Sequence, residues 1–482
     1  MTAAGENVGP APAISDPTGR ARVAFLLPLA LAQFICSFAG SNMNVMINDI
    51  SDDLDTTVQG VQAAITLFLL TMAILMIPGS KLTERWGRKR CFIGGLAIYG
   101  VGAVLSAVSP GLGVLILGNS LLEGVGTALL IPPVYILTTL AFTNTASRAR
   151  AFGVISGLGG IGAAAGPLIG GLITTAISWR AAFVFQALVV SAIILLSRRM
   201  VDPVPADPNR PFDVVGAILS GVGLFFLVAG ILWADSNLVV TVVAMAIGVA
   251  FIIGFFLYVR SLERAGKEPL LSRALFRNRT SNLGLVTQNI QWLVLMGVSF
   301  VVAVYLQTVR GYNAIETGVI FTAATLGVLL TSFGAERFAR RRTQKTLIMA
   351  GFVATVAGIV LLIAFAGVTN RIVACVPGLF LVGAGLGIML TPSVNVVQSS
   401  FPDELQGEIS GLSRSISNLG SSLGTAIAGT ILVSNFASGN HPYVIALVAL
   451  AGVGLIGLAA AALLRPGAER GGVPVTAGAE AP

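Results

Sequence analysis

The stretch GVISGLGGIGAAAGPLIGG, residues 153–171, shows the class of fold most directly, because it is uncharged and about as long as a membrane-spanning helix. Small residues four positions apart let two membrane helices approach closely, and a proline bends such a helix. The residues of the pattern are Gly153, Gly162, Gly166, Pro167, Gly170 and Gly171. The stretch therefore predicts a bent membrane helix with a close neighbour. Its small residues allow either tight packing alone or a contact along which the two helices move against each other.

The whole chain has the composition of a membrane protein. It has 482 residues, of which 55% are hydrophobic and 10% are charged. A soluble domain carries about 25% charged residues. The composition excludes a soluble globular enzyme, a disordered chain and a secreted disulfide scaffold. It predicts an all-α polytopic membrane protein.

Fourteen apolar segments follow one another along the chain, each long enough to cross a bilayer. They lie at 23–48, 59–79, 91–109, 112–140, 151–177, 179–199, 213–233, 236–260, 281–306, 313–334, 346–367, 371–399, 408–434 and 442–464. Residues 1–22 are predicted to be a cytoplasmic N-terminal tail. Residues 465–482, rich in Gly, Pro and Ala, are predicted to be a disordered cytoplasmic tail.

The basic residues are concentrated in alternate loops. With fourteen crossings both termini lie on one side, and the loops and tails of that side hold 25 of the 29 Lys and Arg residues. Arg180, Arg310 and Arg371 lie opposite, and Arg414 lies within segment 13. Because cytoplasmic loops carry an excess of Lys and Arg, both termini are predicted to be cytoplasmic. The net charge of +8 is therefore a signal of topology, and no nucleic-acid partner is expected.

Two loops contain a similar basic motif. The loop after segment 2 contains GSKLTERWGRKR, residues 79–90, and the loop after segment 10 contains GAERFARRRTQK, residues 334–345. The spacing predicts two six-helix halves, 23–199 and 281–464, with an inserted helix pair at 213–260. Repeated halves are typical of transporters, whose substrate site lies between them.

The first of these loops is also a candidate conformational latch. An acid there could meet a helix N-terminus and an arginine could meet helix C-terminal carbonyls, while a glycine allows the tight turn. A loop that only fixes topology is the alternative. The candidate latch residues are Ser80, Glu84, Arg85, Gly87, Arg88 and Lys89.

Taken together, these motifs resemble the major facilitator superfamily, and in particular its fourteen-span drug:proton antiporter branch. The loop after segment 2 is similar to the loop 2–3 signature of the family, and the glycines of segment 5 are similar to its antiporter signature. Further similar stretches are SWRAAFVFQ (178–186), FDVVGA (212–217), LFRNRTSNLG (275–284), VYLQTVRGYNAIETG (304–318) and NLGSSLGTAIAGT (418–430). The resemblance implies a major facilitator fold, drug-like substrates, export and exchange against protons.

The chain departs from that branch at residues the family commonly uses for coupling. Ala39 stands where the branch usually has an Asp in segment 1, and Ser120 stands where it usually has an Arg in segment 4. Ser80 and Glu84 replace the usual Gly and Asp of the loop motif. Proton coupling therefore cannot simply be carried over from the family to this chain.

Glu123 is the candidate for a coupling role, because it is the acid placed deep within a segment. It lies near the middle of segment 4, with Asn119 and Ser120 one turn before it, and acids inside membranes usually mark functional sites. We expect these three residues to serve in proton coupling or substrate binding, with a cationic substrate competing for the carboxylate. A structural carboxyl hydrogen-bonded between helices is the alternative.

Other polar residues within the segments are candidates to line a central cavity, although each could instead form a bond between helices. They are Gln33, Ser41, Asn42, Asn44, Gln288, Asn289, Gln291, Trp292, Asn395, Gln398 and Asn418. The three cysteines show no metal spacing, and the single histidine, His441, is expected in a loop. No metal site and no cofactor are predicted.

The sequence thus predicts a monomeric multi-pass transporter that exports small amphipathic or cationic molecules, with protons and lipid as its other partners. The excess of Arg over Lys, with abundant Ala and Gly, favours a GC-rich bacterial genome and hence a bacterial plasma membrane. A narrow exporter of a metabolite, siderophore or lipid, with non-standard coupling, is the first alternative. A membrane-embedded enzyme or a receptor is disfavoured, because Glu123 has no partner acid or histidine and no soluble module is evident.

Overall fold

A computed structural model describes residues 19–142, 145–202, 206–234, 237–339, 342–366, 374–402, 405–433 and 441–464. Its long elements are fourteen helices, one for each predicted segment. They are α1 (Gly19–Asn42), α2 (Val58–Trp86), α3 (Arg88–Ala107), α4 (Leu112–Ala141), α5 (Thr145–Ala176), α6 (Trp179–Ser197), α7 (Val214–Leu232), α8 (Leu238–Arg264), α9 (Arg279–Val304), α10 (Ala314–Ala339), α11 (Gln344–Ala366), α12 (Val376–Gln398), α13 (Gln406–Val433) and α14 (His441–Ala462).

Thirteen of these helices are long and apolar enough on their own to cross a membrane, or fourteen when the two arms of α5 count as one span. The arms of α5 meet at a bend of 43°. Pro167 lies within this helix, as the sequence predicted. The all-α polytopic architecture is therefore confirmed over the described residues.

Several helices extend beyond their predicted apolar segments. The helix α2 continues past residue 79 to Trp86, and α5 begins at Thr145. Helical backbone hydrogen bonds are internal, so polar residues can continue a helix once it leaves the apolar layer. The helix α2 ends where Gly87 adopts φ +92, a left-handed conformation that favours glycine. The prediction that His441 lies in a loop was wrong, because it begins α14.

The acidic loop after α1 also contains structure that was not predicted. A 3-10 turn at Met43–Val45 leads into a short helix, Ile47–Asp53. The Asp53 carboxylate accepts a hydrogen bond from Trp179 Nε1 at 2.9 Å and pairs with Arg180. This loop is thereby tied to the start of α6. Most of the two predicted tails, 1–22 and 465–482, lies outside the described residues.

The helices pack in a pattern that repeats along the chain. We call α1–α6 the N-terminal half and α9–α14 the C-terminal half. In the N-terminal half α1 packs on α5 and α3 on α4, and in the C-terminal half α9 packs on α13 and α11 on α12. The halves meet along two seams, α2 with α13 and α5 with α10. The inserted α7 and α8 pack on each other, and α7 covers the outside of the α2–α13 seam.

Candidate functional site

The α2–α13 seam is closed along its whole length. We call the side where α2 ends the basic face and the side where it begins the far face. At the far face Gln62 Nε2 donates to the carbonyl oxygens of Thr425 and Ala426, at 3.3 and 3.2 Å. At the basic face Lys81 Nζ lies 2.6 Å from the Glu408 carboxylate. Side-chain contacts between the two halves thus connect both ends of this seam.

The α5–α10 seam is closed only toward the far face. A Cβ added at Gly171 would overlap the carbonyl of Ala314, and one added at Gly318 would overlap the carbonyl of Pro167. The Ile315 N–H donates to Thr175 Oγ1 at 3.2 Å in the same region. The two backbones therefore touch there.

Nearer the basic face the same side of α5 is open. A Cβ added at Gly153, Gly157 or Gly160 would meet no atom of the described residues within 4 Å. These residues are spaced at i, i+4 and i+7, so they share one side of the helix. A cleft between the halves therefore opens toward the basic face.

The ends of α1 and α9 add to the closure of the far face. Gln307 Nε2 donates to the backbone carbonyl of Asn44 at 2.7 Å, and Gln307 Oε1 accepts from the Asn48 N–H at 3.2 Å. Gln307 lies in a π-helical turn, Tyr305–Val309, that extends α9. The sequence offered no signal for this contact beyond an amide at the end of a span.

The glycine motif of α5 packs against α1 inside the N-terminal half. A Cβ added at Gly162 would overlap the carbonyl of Phe34, and one at Gly166 would overlap Ser41 Oγ. A Cβ at Gly170 would lie 2.9 Å from the Asn42 Cβ. Close packing was therefore predicted correctly for these three glycines. It was wrong for Gly153, whose surroundings are open, while Gly171 faces α10.

Glu123 lies deep in α4, at the end of a π-helical segment, Ile116–Glu123, that also contains Asn119 and Ser120. Such wide turns in α-helices are frequent at functional sites. The Ser120 hydroxyl donates to the Ala64 carbonyl of α2 at 2.7 Å. Asn119 is buried, and its side-chain amide has no hydrogen-bond partner among the described residues.

The Glu123 side chain is fully buried within the N-terminal half. Its Oε1 accepts from the Ser106 hydroxyl of α3 at 3.5 Å, and it lies beside Tyr99 of α3. The Tyr99 hydroxyl donates to Gln186 Oε1 of α6. Glu123 Oε2 has no hydrogen-bond partner among the described residues. The carboxyl therefore belongs to a sealed polar cluster between helices and has no surface in the cleft.

The predicted cavity residues divide by burial. Gln33, Ser41, Asn42, Asn44, Gln288 and Gln291 are buried, and Asn289, Trp292, Asn395, Gln398 and Asn418 are at least partly exposed. Those of α9 bond within the C-terminal half: Gln288 Oε1 accepts from Ser413 at 2.7 Å and Gln291 Oε1 from Ser393 at 3.0 Å. These amides serve contacts between helices in this conformation.

A cluster of side chains that the sequence did not predict bridges the cleft. Arg414 of α13 lies with its guanidinium carbon 4.6 Å from the ring centre of Tyr135 in α4, and it donates to the Tyr135 hydroxyl. That hydroxyl donates to Gln33 Oε1 at 3.1 Å. The Phe152 ring of α5 stacks on Tyr135, with ring centres 5.9 Å apart. The available sequence signal was an arginine inside an apolar segment.

The loop motif uses different partners from those expected. The acid at the N-terminus of α3 is Asp202, whose Oδ2 accepts from the Arg88 and Lys89 N–H groups at 2.7 and 3.1 Å. Lys89 Nζ donates to the Arg198 carbonyl at the end of α6, at 3.0 Å. The motif therefore lies where helix ends meet, but the contacts are made by Asp202 and Lys89 and not by the acid and arginine of the motif that were expected.

The other acid of the motif has a different partner. Glu84 pairs at 3.2 Å with Arg210, which follows α6 in the chain. Ser80 is buried where α2 meets Gly411 of α13. Within the ranges described, no group of His, Cys, Asp and Glu could hold a metal ion.

A sequence profile of the Major Facilitator Superfamily matches residues 29–425. The chain belongs to this superfamily. Among superfamily relatives, it is 25% identical to the multidrug resistance protein Stp of Mycobacterium tuberculosis (strain CDC 1551 / Oshkosh), over 88% of this chain and 78% of that protein. It is 28% identical to the puromycin resistance protein pur8 of Streptomyces alboniger, over 84% and 81% of the two chains.

Solved structures of transporters share this fold. The crystal structure of a peptide transporter, POT, in complex with sulfate superposes with a TM-score of 0.68, covering 94% of this chain and 97% of that one at 15% identity. At that identity the likeness concerns the fold alone. The fold and family expected from the motifs are thus confirmed, and the superfamily places the protein among membrane transporters.

Proposed function

We propose that this protein is a monomeric, proton-coupled exporter of small amphipathic compounds in a bacterial plasma membrane. The export of drug-like compounds is supported by relatives named for multidrug and puromycin resistance that align with most of the chain. A cleft between two halves of one chain is the geometry that alternating access requires. One chain supplies both seams, so a monomer suffices.

The orientation follows from the basic face. The basic face includes Lys81 through Arg90, where α2 ends and α3 begins, and the predicted loops and tails of that side hold 25 of the 29 Lys and Arg residues. Since such residues accumulate on the cytoplasmic side, the cleft opens to the cytoplasm, where an exporter loads its substrate. Reporter fusions after Leu464 and before His441 should give opposite signals. Equal signals would contradict this orientation.

The proposal of proton coupling rests on one observation, the complete burial of Glu123 in the π-helical segment of α4. An ionised carboxylate is very costly to bury without a cation, and the described residues provide no basic group within 4.0 Å of it. We infer that Glu123 holds a proton in this conformation.

Release of that proton would require the α4 packing to change. The same helix carries Tyr135 into the cleft three turns later, so a change around Glu123 would reach the substrate path through α4. Direct competition between substrate and proton is not available in this conformation, since Glu123 has no exposed surface.

The test compares Glu123→Gln with the wild-type protein in proteoliposomes under an imposed pH gradient, with puromycin as the probe. The variant keeps the shape of the side chain and cannot ionise. We expect it to lose concentrative uptake by at least tenfold while exchange of puromycin down its own gradient continues. Glu268→Gln, at an exposed loop position, is the matched control and should behave as wild type.

The opposite result would contradict the role of Glu123 in proton coupling. If Glu123→Gln concentrates puromycin as well as the wild-type protein does, Glu123 is structural, and coupling uses another group. Narrow-specificity export with non-standard coupling is the second candidate, favoured by Ala39 and Ser120 at the family's usual coupling positions.

A further inference from the structure

Arg414 is a cation placed well inside a membrane helix. It lies six residues after the apolar span of α13 begins at Glu408, or about 9 Å along the helix axis at 1.5 Å per residue. Charged residues at such depth are costly and usually face a partner or a water-filled cavity. Arg414 is half-buried, so part of its surface remains open.

The contacts of Arg414 cross from one half to the other. Its guanidinium lies over the Tyr135 ring of α4, which is stacked against Phe152 of α5 and hydrogen-bonded to Gln33 of α1. All three partners belong to the N-terminal half, and none carries a charge. The contact is therefore an aromatic wall beside a positive group, in the cleft between the halves.

The positive charge of Arg414 has no acidic partner in the part of the chain that the structure describes. Among the described residues no carboxylate lies within 4.0 Å of it. The acid nearest along its own helix, Glu408, pairs with Lys81 and accepts from the Ser272 N–H at 3.3 Å. Glu123 is enclosed in the N-terminal half. A ligand in the cleft would thus meet a positive group without a competing carboxylate from the described residues.

Open space lies along the side of α5 that follows Phe152. A Cβ added at the glycines 153, 157 and 160 would meet no atom of the described residues within 4 Å. A guanidinium presents planar donors that match a carboxylate with two parallel hydrogen bonds. Aromatic rings such as those of Tyr135 and Phe152 prefer to pack against other rings.

We propose that Arg414, Tyr135 and Phe152 form a subsite for the carboxylate end of an aromatic organic acid, and that Arg414 sets the charge preference of the transporter. This inference rests on the proposed export function and gives amphipathic compounds with an anionic group the preference among its substrates. The carboxylate pairs with Arg414, and the aromatic part occupies the open space along α5. The ligand thereby replaces the Arg414–Tyr135 contact as the partner of the guanidinium.

A simpler role for Arg414 would be a latch that ties the two halves together. A latch affects all substrates alike, because it acts on the conformation. A charge-selecting subsite affects only the anionic ones. The two roles are therefore distinguished by comparing ligands that share one aromatic group and differ only in charge.

The probes are dansylglycine, its neutral amide, and the dansyl derivative of ethylenediamine, which is a cation. Their binding to the purified full-length protein is measured by fluorescence anisotropy without any gradient. We expect the wild-type protein to bind the carboxylate at least tenfold more tightly than the amide, and the cation most weakly. Arg414→Gln should bring the three affinities within about twofold of one another and leave that of the amide unchanged.

Two further variants keep the test informative. Arg414→Lys retains the charge without the planar donors and should keep part of the preference for the carboxylate. Arg310→Gln is the matched control, because Arg310 also lies over a tyrosine ring, Tyr305, at 5.3 Å and donates to its hydroxyl at 3.0 Å, but within one half. This control should keep the wild-type preference.

Three outcomes would overturn the proposal of this subsite. They are equal weakening of all three probes by Arg414→Gln, tighter binding of the cation than of the carboxylate by the wild-type protein, and no binding of any probe to it. Binding without a gradient does not depend on proton coupling. The preference should therefore persist in Glu123→Gln, and failure of the coupling proposal would leave this result intact.

Discussion

The interior of the N-terminal half and the contacts between the halves at the basic face are built differently. Inside the half, glycines of α5 place backbone against α1, and Glu123 lies in a cluster with no exposed surface. Across the halves at the basic face, long side chains make the contacts, Lys81 with Glu408 and Arg414 with Tyr135.

This difference separates a rigid part from a movable one. Close-packed backbones cannot separate without repacking, because interiors have few voids and resist deformation. Hydrogen bonds and ion pairs between long side chains can exchange with water or a ligand. We therefore expect substitutions inside the half to damage the structure, and substitutions at the basic-face contacts to change rates or preferences.

The largest effect is expected from Gly166→Leu, inside the half. Even a Cβ at this position would overlap Ser41 Oγ and approach the Phe38 carbonyl at 3.3 Å. A leucine would force α5 away from α1, and overpacking typically costs about 1–3 kcal/mol or more. We expect transport to be abolished and the melting temperature in detergent to fall, with some protein remaining in the membrane.

Gly160→Leu sharpens this test, because it adds the same side chain to the open side of the same helix. A Cβ there would meet no atom within 4 Å. This variant should melt near the wild-type temperature, even if the bulk in the cleft slows transport. Normal transport by Gly166→Leu, or equal destabilisation by both variants, would contradict the contrast between the two sides of α5.

The helices and the glycine contacts were predictable because both depend on local properties of the chain. Apolar length alone located fourteen helices, and spacing alone identified Gly162, Gly166 and Gly170 as contact residues. Helix ends were less predictable, since α2 continues to Trp86 through polar residues, of which Ser80 and Lys81 contact α13. This extension depends on the neighbouring helix, although Gly87 marks the end itself in the sequence.

The candidate site was predictable only in part, for the same reason. The depth of Glu123 follows from its position in a segment, but the side of α4 from which it projects depends on how α3 and α6 pack. Arg414 was visible as an arginine in a span. Its partners Tyr135 and Gln33 come from helices far away in sequence. Gln33 was already a candidate cavity residue, but nothing in either segment pairs it or Tyr135 with Arg414.

An intermediate effect is expected from Tyr99→Phe, which removes one hydroxyl from the sealed cluster. That hydroxyl donates to Gln186 Oε1, whose buried acceptor would lose its donor. Leaving a buried polar group unsatisfied costs about 1–3 kcal/mol. The melting temperature should fall by several degrees.

The control for this variant is Tyr443→Phe, which removes a hydroxyl at 3.0 Å from Thr308 Oγ1 in an exposed contact. Water can replace that bond, so this variant should melt as the wild type does. If both variants melt at the same temperature as the wild-type protein, the interior cluster around Glu123 is no more rigid than the surface.

The smallest effect is expected at the Lys81–Glu408 pair, which joins the halves at the basic face. The nitrogen and oxygen are 2.6 Å apart, and the side chains retain 14% and 20% exposure. Ion pairs open to solvent contribute about 0–1 kcal/mol, which changes an equilibrium by about fivefold at most. Lys81→Gln should therefore alter the transport rate by no more than a few fold and leave the amount of folded protein unchanged.

Substitutions of Lys81 and of Glu408 should affect the transport rate to different extents, and the comparison of the two serves as a control. Glu408 also accepts from the Ser272 N–H at 3.3 Å, so Glu408→Gln disturbs the loop before α9 as well as the pair. We expect Glu408→Gln to change the transport rate more than Lys81→Gln does. The double variant should match Glu408→Gln alone, because the pair is already broken. Strictly additive effects on the logarithm of the rate would show that the pair does not act as a unit.

A loss of folded protein in Lys81→Gln would place this contact with the rigid interior and remove the distinction between the two regions.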